Sequence, residues 1–333
     1  MATLLQVNGL KTYFFTLEGV LKAVDGITYD IEEGETLGLV GESGCGKSVS
    51  ALSLMRLIPD PPGKTIEGEV LFDGEDILKI DMDDMRRIRG RRMTMVFQEP
   101  MTSLNPVLTV ERQLTETLQL HKGLSGPDSK REAVGLLERV GIPDPDKRIR
   151  QYPHQFSGGM RQRVMIAMAL SCDPRLIIAD EPTTALDVTI QAQILELMKS
   201  LTTEFGVALI IITHNLGVVA RYADRVNIMY AGKIIERGSA QEIYANPRHP
   251  YTVGLLRSVP RLDLPRRAKL EPIEGQPPDL INLPGGCAFR ERCQFAVDKC
   301  ATDIPELMMV NEGHTSACWR AEELGELVAS AAE

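Results

Sequence analysis

The sequence predicts an α/β protein with a parallel-sheet core covered by helices, an antiparallel β-subdomain, a helical subdomain and a small Cys-rich C-terminal extension. Three runs carry the core prediction. Thr36-Leu37-Gly38-Leu39-Val40, Leu176-Ile177-Ile178-Ala179 and Ala208-Leu209-Ile210-Ile211-Ile212 are continuously apolar rather than alternating, which suits short strands buried on both faces. The N-terminal third alternates instead. Ile27, Tyr29 and Ile31 share one side ahead of a Glu32-Glu33-Gly34 turn, and Val70 and Phe72 precede Asp73-Gly74, a hairpin signal. Between about residues 107 and 169 the pattern is helical: Ala133, Leu136, Leu137 and Val140 recur at helical spacing, and Gly141 then Pro143 stop that helix. Past residue 238 the prolines scatter (Pro247, Pro250, Pro260, Pro265, Pro272, Pro277, Pro278 and Pro284), marking a linker and an appended module. The expected organisation is a main domain over 1–238, with its helical subdomain at about 99–170, and an extension over 239–333.

Bulk properties agree with a globular protein and exclude some partners. A chain of 333 residues accommodates one large α/β domain and a smaller one. The formal net charge of -9 argues against nucleic acid as the main partner. The opening MATLLQVNGL has no basic segment leading into a long apolar one, so no signal peptide is expected. No run approaches the roughly 20 apolar residues of a membrane-spanning helix. Cys287, Cys293, Cys300 and Cys318 crowd towards the C-terminus. In a reducing compartment, clustered cysteines more often bind metal than form disulfides.

Gly41-Glu42-Ser43-Gly44-Cys45-Gly46-Lys47-Ser48 fits the phosphate-binding pattern G-x-x-x-x-G-K-S/T. It follows the apolar run ending at Val40 and precedes a helix-like stretch at 49–57, the context the pattern requires. Glycines let backbone N–H groups curl around phosphates without Cβ clashes, and the following helix adds about half a positive charge at its N-terminus. Lys47 brings a full charge, and the Ser48 hydroxyl is suited to Mg²⁺. Cys45 reads as a small space-filler.

The run Leu176-Ile177-Ile178-Ala179-Asp180-Glu181 ends in two carboxylates. Beside a phosphate loop, Asp180 is expected to hold Mg²⁺ and Glu181 to orient and deprotonate an attacking water; phosphoryl transfer needs positioning and charge stabilisation more than covalent chemistry. Upstream, Phe156-Ser157-Gly158-Gly159-Met160-Arg161-Gln162-Arg163 reads as a helix start, with Ser157 as the N-cap and Gly158 and Gly159 leaving that end open to a phosphate.

Together these elements resemble the ATP-binding-cassette (ABC) ATPases, whose signature LSGGQ reads FSGGM here. The resemblance implies ATP and Mg²⁺ as ligands and fills in further positions. Tyr13 matches the aromatic that stacks on adenine, Gln98 the Q-loop glutamine that meets Mg²⁺, Ala185-Leu186-Asp187 the D-loop, and His214 the switch histidine at the γ-phosphate. Glu181, His214 and Lys47 are then the implied catalytic residues. In this family the signature of one subunit completes the phosphate loop of another, so a second cassette, expected to be a paralogue, is implied.

Tyr152-Pro153-His154-Gln155-Phe156-Ser157-Gly158-Gly159-Met160, the run from Ala179 through Thr189, and Asn246-Pro247-Arg248-His249-Pro250-Tyr251-Thr252 are similar to ATP-binding subunits of bacterial dipeptide/oligopeptide importers, a group that includes nickel importers. That likeness implies two membrane permease subunits, an extracytoplasmic peptide-binding protein and a place at the cytoplasmic face of the inner membrane. It also implies a [4Fe–4S] cluster on Cys287, Cys293, Cys300 and Cys318, with Zn²⁺ as the alternative, since four thiolates suit either. Cassette ATPases of DNA repair or translation are the competing class. They usually carry a long coiled-coil or zinc-bearing insertion or a second cassette in one chain, and neither is present.

Overall fold

The computed structural model describes residues 2–184, 186–258 and 272–330; Ala185, Pro260 and Pro265, singled out above, lie outside them. Two compact units divide the chain. One comprises Met1–Leu4, Glu32–Thr36 and Lys79–Ile212, the other Leu5–Ile31, Leu37–Leu78 and Thr213–Glu333.

The first unit is built on parallel strands. Met93–Val96 pairs with Leu176–Asp180, and Leu176–Asp180 with Ala208–Thr213, in register Met93↔Leu176 and Leu176↔Ala208. Every residue of the last two strands is buried, as their uninterrupted apolar sequence requires. Its helices start where the side chains dictate. Thr109, Ser125, Ser157 and Asp187 cap Val110–Lys122, Gly126–Arg139, Gly158–Leu170 and Val188–Phe205, each accepting a hydrogen bond from a first-turn backbone N–H. Ala133, Leu136, Leu137 and Val140 are all buried, and the helix that carries them ends at Arg139, with Gly141 at φ +75° beyond it. Ser125→Ala is expected to cost about 1 kcal/mol, visible as a lower thermal midpoint with unchanged helical content.

The second unit contains an antiparallel sheet in the strand order Gly19–Glu32, Thr3–Thr16, Gly63–Phe72, Glu75–Asp76. Ile27, Tyr29 and Ile31 point into its core. Asp73 and Gly74 both adopt positive φ, 55° and 81°, making the tight turn that pairs Phe72 with Glu75. In the same unit Thr36–Val40 runs parallel to Arg225–Tyr230, which pairs antiparallel with Lys233–Ser239.

The extension is less separate than its composition suggests. His314–Ser316 pairs antiparallel with Lys233–Ser239, and Met308–Asn311 adds outside it. Phe289 and Ala317 share one apolar cluster with Val40, Val226, Ile228, Tyr230 and Tyr251. His314 and Glu236 meet there at 2.7 Å, both fully buried, and the Arg248 backbone N–H donates to the same carboxylate at 2.5 Å. A buried pair of this kind ties two segments together because losing either partner strands the other.

Candidate nucleotide-binding site

In the second unit, the phosphate-loop segment leaves the buried strand Thr36–Val40 and enters helix Lys47–Leu54; the helix begins two residues earlier than the helix-like stretch in the sequence. Two of its glycines are sterically compulsory. A Cβ on Gly41 would lie 2.2 Å from the Met229 carbonyl oxygen, and one on Gly46, at φ +106°, 2.0 Å from that of Ala23. Gly44, at φ +81°, faces open space. Gly41, Cys45, Gly46 and Lys47 are buried while Ser43 and Gly44 are exposed, so the loop presents one face outward. Lys47 is 4% exposed, and its Nζ donates to the Gly41 and Glu42 carbonyls at 2.8 and 2.9 Å. Burial raises the Cys45 thiol, which keeps it protonated and inert.

Tyr13 and His214 belong to the same unit. Tyr13 is half-buried and donates its hydroxyl to Asp25 at 2.6 Å; burial, with this bond, raises it to about 12. The Lys22 ammonium lies 5.9 Å from its ring centroid. His214 is exposed immediately after Ala208–Thr213, where Asn215 caps helix Leu216–Tyr222.

The first unit holds the carboxylates and the glycine-rich helix start. Asp180 ends the strand Leu176–Asp180 and is 6% exposed. Glu181 follows at φ +44°, a sparsely populated region for a residue with a Cβ and a common mark of functional positions. Its backbone N–H donates to the Ile212 carbonyl at 2.9 Å, and its Oε2 accepts from Gln98 Nε2 at 3.2 Å and Thr184 Oγ1 at 2.9 Å. Gln98 and Glu181, 83 residues apart, are therefore brought together. Ser157, Gly158 and Gly159 open helix Gly158–Leu170, with the Met160 N–H donating to Ser157 Oγ at 3.3 Å; Ser157 and Gly158 are exposed. A Cβ on Gly159 would come 2.9 Å from Ile190, so bare glycine lets this helix start close to Val188–Phe205.

Ser48, Gln98 and Asp180 each carry a hydroxyl, carboxamide or carboxylate oxygen, hard donors of the kind Mg²⁺ takes, and the glycine-walled loop fits phosphate. The cysteine expectation is corrected. Among the described residues no group of three or more His, Cys, Asp or Glu side chains is disposed to hold a metal ion. Cys287, Cys293, Cys300 and Cys318 are free cysteines. Burial raises the Cys287 thiol, raises Cys293 to about 11 and raises Cys318 to about 12.

Sequence reasoning missed three partners of the site. Thr184 holds Glu181, while Tyr251 and Arg292 hold Glu42. Tyr251 lay within a run already noted and Arg292 beside Cys293, but nothing local marked either as touching the loop.

Comparison with known proteins accords with these observations. The family model "ABC transporter" matches residues 24–184 and "Oligopeptide/dipeptide transporter, C-terminal region" matches residues 235–300. The chain is 51% identical over 326 residues to the dipeptide transport ATP-binding protein DppD of Bacillus subtilis, covering 98% of this chain and 97% of the relative. It is 50% identical over 325 residues to the oligopeptide transport ATP-binding protein AppD of the same organism, covering 98% and 99%. Among solved structures, the dimeric post-hydrolysis state of the ATP-binding cassette MJ0796 bound to ADP and Pi superposes with a TM-score of 0.64 at 28% identity, over 71% of this chain and 98% of that one.

Proposed function

This chain belongs to the ABC transporter family of ATPases, and from that premise we propose that it hydrolyses MgATP to drive peptide import, peripherally at the cytoplasmic face of the inner membrane. The observation that carries the enzymatic part is the restraint on Glu181, whose Oε2 is held by Gln98 and Thr184 at the end of a buried strand. The peptide assignment is supported by DppD and AppD, transport ATP-binding proteins of dipeptides and oligopeptides that match nearly the whole chain.

In the proposed site the Gly41–Ser48 loop and the Lys47 ammonium bind the phosphates, Tyr13 stacks on adenine, and Ser48, Gln98 and Asp180 hold Mg²⁺. The metal, when bound with ATP, supplies neutralisation of phosphate charge. Glu181 accepts a proton from the attacking water as its oxygen bonds to the γ-phosphorus; the bond to the bridging oxygen breaks and ADP leaves. His214 contacts the γ-phosphate. Ser157, Gly158 and Gly159 serve the site of a second cassette, a paralogue. Residues 1–238 act as the cassette and 239–333 as the extension. Two permeases provide the membrane path and an extracytoplasmic binding protein selects the cargo; no helix among the described residues is long and apolar enough to cross a membrane.

Reconstitution tests this reading. In vesicles carrying the chain with its permeases and second cassette, labelled di- and oligopeptide uptake should require ATP and should accelerate hydrolysis. Hydrolysis indifferent to peptide, or uptake of nickel alone, would overturn the peptide assignment.

A further inference from the structure

Glu42, the second residue of the phosphate loop, is gripped from outside that loop. Its backbone N–H donates to the Tyr251 hydroxyl at 2.7 Å. Its carboxylate receives a two-pronged bond from Arg292, Nη1 to Oε2 at 2.6 Å and Nη2 to Oε1 at 2.9 Å. Both partners lie beyond residue 238, Arg292 as far as 250 residues along the chain. From inside the loop, the Glu42 carbonyl accepts from Lys47 Nζ at 2.9 Å. The residue is thus held by its N–H, its carbonyl and its side chain at once.

The grip is rigid. Arg292 is 4% exposed at its side chain, and each of its five N–H donors has an acceptor. Besides Glu42, Nε donates to the Glu274 carbonyl at 3.0 Å, Nη1 to the Tyr230 hydroxyl at 3.4 Å and Nη2 to the Ile273 carbonyl at 3.5 Å. The guanidinium sits 5.9 and 5.8 Å from the Tyr230 and Phe289 ring centroids. Tyr251, fully buried, has its ring 4.7 Å from Tyr230 and 5.5 Å from Phe289. A guanidinium fixed in this way makes a directional, charge-assisted pair that bulk water screens little. A second contact reaches the strand Gly19–Glu32: the Lys22 N–H donates to the Leu280 carbonyl at 3.3 Å, and a Cβ on Gly19 would lie 2.7 Å from Ile281.

We propose that Arg292 and Tyr251 are positioning residues for nucleotide binding, so that the C-terminal extension presets the phosphate loop and ATP affinity depends on its docking. Because the Glu42 N–H is committed to Tyr251, this residue's part is to fix the loop's entry rather than to donate to phosphate. Its carbonyl also sets where Lys47 rests before ATP arrives. The proposal rests on the MgATP reading above. Preorganisation of this kind acts on affinity: an ordering cost is removed from the binding step while the reacting groups are left alone.

Calorimetric titration of the full-length chain with MgATP tests it, alongside steady-state kinetics in the reconstituted complex. Arg292→Ala should raise Kd and KM about tenfold, the loss of one charge-assisted pair, with kcat within about twofold. Arg292→Lys should restore only part of the affinity, because a point charge cannot make the fork. Tyr251→Phe removes one hydroxyl, leaves the ring packing intact and should weaken binding several-fold even if Arg292→Ala fails to fold. Unchanged Kd in folded Arg292→Ala and Tyr251→Phe chains, with thermal midpoints lowered equally with and without MgATP, would reduce these residues to packing and overturn the proposal. Failure of the wild-type chain to bind MgATP would instead sink the ATP reading itself.

Discussion

Glu181→Gln is expected to leave MgATP binding at wild-type strength while slowing hydrolysis by about 10²–10⁴-fold, the usual contribution of a positioned general base. The substitution changes a proton acceptor and little else. Glutamine keeps the length and shape of glutamate, so Thr184 Oγ1 can still donate to a side-chain oxygen as it does now at 2.9 Å. The backbone bond from residue 181 to the Ile212 carbonyl and the positive φ of 44° are also untouched. The measurement is single-turnover hydrolysis beside a binding isotherm. Stalled before hydrolysis, the variant should also accumulate a closed pair of cassettes in ATP, readable by size-exclusion chromatography. An unchanged single-turnover rate would remove Glu181 from the role of base.

Lys47→Ala should act one step earlier, weakening MgATP binding on the order of 10²-fold through two lost charge-assisted contacts. Lys47 is buried against its own loop, donating to two carbonyls, so its charge is already in place when phosphate arrives. Alanine removes the charge and leaves the Gly41 and Glu42 carbonyls without that donor. The loop's remaining amides and the N-terminus of helix Lys47–Leu54 should preserve weak binding. A dissociation constant within about threefold of wild type would contradict the assignment. Comparing the two variants separates binding from chemistry: one should fail in the isotherm, the other only in the rate.

How much of this was legible follows from sequence separation. The phosphate loop could be read whole because its requirements are local: eight consecutive residues, a buried strand before them and a helix after. The buried strands 176–180 and 208–213, the Ser157 cap and the Asp73-Gly74 turn were legible for the same reason. Gln98 could be assigned to the site only by family resemblance, since nothing within its own segment points to Glu181. Arg292 and Glu42 were beyond reach, because a pair 250 residues apart exists only once the chain has folded. The four cysteines misled in the opposite direction. Their residue type and clustering suggested metal, whereas among the described residues no group of three or more His, Cys, Asp or Glu side chains is disposed to hold a metal ion. Met308–Asn311 was missed because its burial does not alternate; Met308 and Met309 are both exposed.

The pairing of His314–Ser316 with Lys233–Ser239 has a consequence for solubility. Without residues 308–316, Lys233–Ser239 would be left as the outer strand on that side, seven residues long and mostly apolar on its buried face. A row of unpaired backbone donors and acceptors there would be a template for strand-to-strand aggregation. The extension replaces it with a four-residue terminal strand, Met308–Asn311, too short to recruit a neighbour readily. A cassette cut at residue 238 would then precipitate for want of its C-terminal selvedge, whatever its affinity for nucleotide.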